Sequence, residues 1–237
     1  MSTAAAPSRR ERLRTQALAE IREHGYAQIA EGGPTALSLN GIAKAMGMSG
    51  PAMYRYFASR DALLATLVTE SYEDIADTLI EAAQRARRRA PEGRLRAAVD
   101  AYRRWALAHP HRYRLVFGST YGSGALEPER VIPAAHRGMS VTLAALAELG
   151  PAAEAPVVTD AILKRQLADW GDTPGEAPLA PGVLLLALVS WTRMHGIVSL
   201  EIEGVFEQLG VDPARLYKTE IDHLVAQRAG GKSSGLS

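Results

Sequence analysis

Within one stretch, Gly50-Pro51-Ala52-Met53-Tyr54-Arg55-Tyr56-Phe57-Ala58-Ser59-Arg60, the chain gathers two phenol hydroxyls, two guanidinium groups and a Gly-Pro pair. Phenols and guanidiniums this close donate hydrogen bonds to anions and do not activate a nucleophile, because neither loses its proton near neutral pH. Phosphate oxygens are the natural acceptors, and Arg55 can equally reach the acceptor edge of guanine. Groups suited to catalysis are missing: there is no G-x-S-x-G, no H-E-x-x-H and no phosphate loop. Cysteine is absent, which removes disulfides, thiolate zinc sites and cysteine nucleophiles, and fits a reducing compartment. His109 and His111 flank Pro110, too close for the usual i, i+4 metal pair, and no carboxylate cluster surrounds them. These residues point to a binding protein without metal or cofactor, and not to an enzyme.

Something must hold those groups in place. Helical periodicity dominates the 237 residues, 47% of them hydrophobic, and no stretch alternates as a strand would, so the fold class is all-α. A first helix runs from about Arg9 to Glu31, stopped by Gly32-Gly33-Pro34, with Gly25 as a weak point inside it. Leu39, Ile42, Ala43 and Met46 recur at helical spacing, with Ser38 as N-cap and Gly47 as stop. A third, short helix begins at Gly50-Pro51 and ends near Phe57; Met53 and Phe57 share a face and pack against Ile42 and Met46. Ser59 caps a long fourth helix reaching about Arg87, roughly 40 Å from end to end. Beyond Pro91, segments 92–108, 110–117, 129–149, 157–169, 180–203 and 213–228 read as helices. The glycine-rich end reads as a disordered tail, 229–237.

Two short helices joined by a glycine-containing turn form a helix-turn-helix, whose second member can enter a major groove. Proline is tolerated in the first helical turn, and a glycine lets backbone approach a duplex closely. Charge agrees: residues 1–60 hold eight Lys and Arg against four Glu, although the whole chain carries only +1. On spacing alone, a turn whose Tyr and Arg merely cover apolar neighbours accounts for the stretch equally well.

The run from Ser38 to Phe57, followed by Ser59-Arg60-Asp61-Ala62-Leu63-Leu64, closely resembles the DNA-binding signature of the TetR family of bacterial transcriptional regulators. The resemblance covers about residues 10–65. It implies a three-helix DNA-binding domain, 1–58, and a larger helical domain for dimerisation and effector binding, 59–228. It also implies operator contacts from Ser38, Asn40, Ser49, Gly50, Pro51, Ala52, Tyr54, Arg55, Tyr56 and Arg60, with Tyr54, Tyr56 and Arg60 on phosphates. The early start of the first helix, with Arg9, Arg10, Arg12 and Arg14, departs from that pattern. Those arginines form either a solvated basic face, the reading favoured here, or an arm onto DNA.

Further along, Trp191-Thr192-Arg193-Met194-His195-Gly196 resembles the Trp…His-Gly type of C-terminal domain found in some TetR members. The implied partners are a double-stranded operator, a second copy of the chain and a small-molecule effector. Trp105, Tyr113, Phe117, Tyr121, Met139, Trp191 and His195 are the candidates to line an effector pocket, with core packing the alternative for each. Trp191 and His195 stand first because they lie at i, i+4 on the helix most suited to border both a pocket and an interface. The apolar run Val183 to Val189 suits a helix buried on every side. It is shorter than a bilayer span, and the N-terminus shows no apolar signal region, so no membrane and a cytoplasmic location are expected.

Overall fold

The computed structural model describes residues 8–118, 128–150, 155–172 and 178–229. Tyr121 and the tail beyond Ala229 lie outside them. Among the described residues every regular element is helical: α1 (Arg9–Gly32), a 3-10 turn (Pro34–Ala36), α2 (Leu39–Ala45), α3 (Gly50–Met53) and α4 (Arg60–Ala86). There follow α5 (Pro91–Ala108), α6 (Pro110–Phe117), α7 (Pro128–Glu148), α8 (Ala161–Gly171), α9 (Pro181–Ile202), α10 (Val205–Leu209) and α11 (Pro213–Ala229). The chain divides into two compact units, Met1–Asp74 with His109–Ala134, and Ile75–Ala108 with Ala135–Ser237. α4 therefore supplies residues to both, and α6 belongs with the first three helices.

In the first unit, the early start of α1 has a local cause. Ser8 and Glu11 form a capping box: Glu11 N–H donates to Ser8 Oγ (3.2 Å) and Ser8 N–H to Glu11 Oε2 (2.6 Å). The Ser8 backbone N–H holds the Glu11 carboxyl below its ordinary pKa. Ile21, Ile42, Met53, Leu63, Leu67 and Val68 form the centre of the core, each almost fully buried. Gly25 sits in that core and is not simply a weak point. A Cβ there would meet Leu67 Cδ1 at 3.0 Å, so its lack of a side chain lets α1 lie close on α4. Arg112 of α6 lies over the Tyr26 ring at 4.7 Å and pairs with Asp74 of α4 at 2.9 Å. The Tyr26 hydroxyl donates to the Leu67 carbonyl (2.9 Å), and burial pushes its pKa up.

The second unit is organised around α9, which packs on α5, α8, α10 and α11. Leu184, Ala187, Met194 and Val198 are buried. The Tyr217 hydroxyl of α11 donates to Val99 O of α5 at 2.7 Å. Arg103 pairs with Glu201, and Arg96 with Asp222, tying α5 to α9 and α11. By length and composition α9 could cross a bilayer. It nonetheless holds Arg193 and Glu201 in ion pairs and places a face in the helical core. It is not buried on every side, however: Leu185, Leu188 and Val189 are half-buried and Leu200 is exposed.

Two short elements escape the periodicity reading, the 3-10 turn and α10. α10 is set off by Gly204 and Gly210, both in the left-handed region (φ +71° and +64°), and five residues are too few to show a period. The segment expected to be helical from 157 starts only at Ala161, where the Asp160 side chain accepts from Leu163 N–H at 2.7 Å.

Candidate nucleic-acid interface

Capping at both ends fixes α2. Ser38 Oγ accepts from Gly41 N–H (3.1 Å), while Ser38 N–H donates to Gln28 Oε1 (2.8 Å), which anchors the entry to α1. At the exit, Gly47 takes φ +65°, and Met48 N–H reaches back to Ala43 O at 2.8 Å, a Schellman turn. That turn aims the chain into α3 within two residues.

α3 is shorter than its sequence suggests. It ends at Met53, because Arg55 and Tyr56 donate to carbonyls three residues back, Ala52 O (3.3 Å) and Met53 O (2.9 Å). The tightened turn still buries Met53 and Phe57 against Ile42, as their spacing suggested, and leaves Tyr54 51% exposed. Ser49, Pro51 and Arg55 are exposed, with Ala52 and Gly50 half-covered. Ser49 caps α3 without using its side chain. Asn40 and Gly50 come together: a Cβ on Gly50 would lie 3.9 Å from Asn40 Oδ1. No backbone strain demands glycine at position 50, and that is an ordinary van der Waals distance. Tyr56 is half-buried, with Arg14 of α1 at 5.5 Å from its ring.

Arg60 behaves differently from the other candidates. Its Nε donates to Leu37 O (3.1 Å), Nη2 to Pro34 O, and Nη1 pairs with Asp61 (3.0 Å). Two of its five N–H donors hold the turn leading into α2, and a third meets the neighbouring Asp61. Spacing offered no signal for this tether, which depends on the 3-10 turn that presents both carbonyls.

The aromatic candidates are divided between the units. In the first unit Tyr113 lies 5.0 Å from Phe117, ring to ring, and Tyr72 lies 6.1 Å from Phe117. In the second, Trp191 stacks on His195 at 5.2 Å, and Tyr102 Oη lies 3.1 Å from His195 Nδ1. Trp105 is buried and Met139 half-buried. Burial lowers the His195 pKa, which disfavours the charged ring beside Trp191 and Tyr102. Tyr102 was absent from the sequence candidates; only the packing of α5 on α9 brings it there. Among the described residues no three His, Asp or Glu side chains gather as a metal site.

Residues 21–67 match the family described as bacterial regulatory proteins, tetR family, and residues 95–224 match the tetracyclin repressor-like C-terminal domain. The HTH-type transcriptional regulator Rv1816 of Mycobacterium tuberculosis is 30% identical over 222 residues, covering 92% of this chain and 94% of that protein. The crystal structure of the protein SCO4313 superposes with a TM-score of 0.75 at 39% identity, covering 92% of this chain and 98% of that one. A tetR-family regulatory protein from Rhodococcus RHA1 shares the fold at 17% identity, with a TM-score of 0.61 and coverage of 90% and 97%. Both ends of the chain thus match one group of DNA-binding regulators, and none of these relatives is named as an enzyme. With the turn from Ser38 to Arg60 built as described, the chain belongs to the TetR family of bacterial transcriptional regulators.

Proposed function

We propose that the protein is a homodimeric repressor that binds a palindromic operator in the cytoplasm and releases it when a small molecule occupies the second unit. One observation carries this reading: α3 buries Met53 and Phe57 beneath it and turns Ser49, Pro51, Tyr54 and Arg55 outward. In this reading Pro51, Ala52 and Arg55 face base edges, with Gly50 allowing the close approach. Tyr54, Tyr56, Ser49, Asn40 and Ser38 meet the backbone. Arg60 has two N–H donors left for a phosphate, and its larger part is to hold the 3-10 turn. The half-buried stripe Leu185, Leu188, Val189 with exposed Leu200 supports assembly through α9, since a single copy leaves those side chains uncovered. The stacked Trp191–His195 pair supports an effector site nearby, and α4, with residues in both units, is the element whose direction an effector would change. Two recognition elements must sit about 34 Å apart to enter successive major grooves, so a small change in that direction ends binding.

The test is selection of genomic duplex fragments by the purified protein, followed by titration of the enriched site. An inverted-repeat site, bound by two copies and released by a compound that also raises the melting temperature, is expected. Enrichment of no fragment over bulk DNA overturns the reading. Operator binding that no compound weakens leaves a DNA-binding dimer whose second unit serves assembly alone.

A further inference from the structure

Several arginines in this protein are paired across helices. Arg22, Arg96, Arg103, Arg112 and Arg137 each meet a carboxylate on another helix. Around the start of α1 the pattern reverses. Arg9, Arg10 and Arg14 of α1, with Ala52, Arg55 and Tyr56 of α3 and its following turn, line a groove of about 610 Å³ whose wall contains no acidic residue. All four guanidiniums are on exposed residues, and among the described residues none meets a carboxylate; Arg14 rests on the Tyr56 ring instead. Glu11, the acid nearest in sequence, is turned back onto the Ser8 backbone N–H.

Four like charges around one cavity repel each other and hold the local potential positive. The fold does nothing to relieve this, and the Ser8–Glu11 capping box extends α1 just far enough to bring Arg9 and Arg10 to the rim. We infer that this groove is a second docking surface for the duplex, taking the phosphodiester backbone that flanks the groove read by α3. The inference rests on the DNA-binding reading above and adds to it the residues Arg9, Arg10 and Arg14, in place of the solvated face that the sequence favours, because the groove gathers them beside Arg55. Its occupant is set by position: α3 and its following turn form one wall, so a strand contacted by Tyr54 and Arg55 continues toward the α1 arginines. The guanidiniums of Arg9, Arg10 and Arg14 are charge-assisted donors to phosphate, and phosphate contacts add affinity without sequence preference.

The experiment compares wild type with an R9Q/R10Q double variant and with R9K/R10K, all keeping Ser8 and Glu11, on the operator selected above. Dissociation constants are measured across a series of KCl concentrations. For R9Q/R10Q the log–log salt slope is expected to flatten by about 0.9 for each phosphate released, with the ranking of mutated operators unchanged. R9K/R10K should keep the wild-type slope, and thermal melting should show all three folded. A wild-type slope in R9Q/R10Q, with operator binding intact, overturns the groove and leaves the regulator reading standing. Loss of base ranking in R9Q/R10Q also overturns it, since that would assign the arginines to sequence reading. If wild type selects no duplex at all, both readings fall together.

Discussion

At the scale of single residues, the same chemical group serves opposite ends depending on what surrounds it. Arg55 and Arg60 stand five positions apart; one is exposed beside α3, the other has three donors committed to Leu37, Pro34 and Asp61. Arg60→Gln should therefore lower the melting temperature, with a loss of about 1–3 kcal/mol for hydrogen bonds to partly buried carbonyls. The salt slope of operator binding separates the roles: a slope flatter by about 0.9 would add a phosphate contact to the structural one. Tyr54→Phe removes a hydroxyl and no packing, so operator binding should weaken by about 1.5 kcal/mol, roughly tenfold, with the melting temperature unchanged. His195 gives a pH signature. Its pKa is depressed in the folded protein by burial, whereas the unfolded chain titrates near about 6.5. Above that value both states are neutral and the contribution is complete; as pH falls through the window below it, the unfolded state binds the proton first and stability is lost. Melting temperature should decline across that window, and His195→Gln should flatten the decline.

Elements are decided by their ends and by single contacts between them. The Ser59 hydroxyl accepts from Ala62 N–H at 3.0 Å at the start of α4, so Ser59→Ala should cost about 1 kcal/mol in a denaturant titration. Gly25 shows how propensity misleads. Helix propensity alone favours Gly25→Ala by about 1 kcal/mol. The Cβ would press on buried Leu67, though, and Gly25→Val, larger and β-branched, should destabilise by about 1–3 kcal/mol. Caps, stops and the long amphipathic stretches were legible in the sequence because each is a local pattern: Ser38, Gly47, Ser59 and Pro91 mark boundaries that the fold keeps. The 3-10 turn and α10 were not, being shorter than the period that would reveal them.

For the molecule as a whole, DNA binding and the family were readable from one contiguous run, since helix-turn-helix contacts are close in sequence. Ser38 with Gly41, Met48 with Ala43, and Asn40 beside Gly50 all lie within about ten positions. A propensity for helices, the N- and C-caps and the buried Met53–Phe57 face follow from such neighbours, and the chain by itself determined them. Tertiary structure alone decided what depends on distant partners. Arg112 reaching Tyr26 and Asp74 places α6 with the DNA-binding helices, although α4 and α5 lie between those helices and α6 in sequence. Tyr102 reaches His195 across α5 and α9, and Arg9 and Arg10 share a groove with Arg55. Closing those long loops needs burial summed over the entire core, a cooperative quantity that no local spacing encodes.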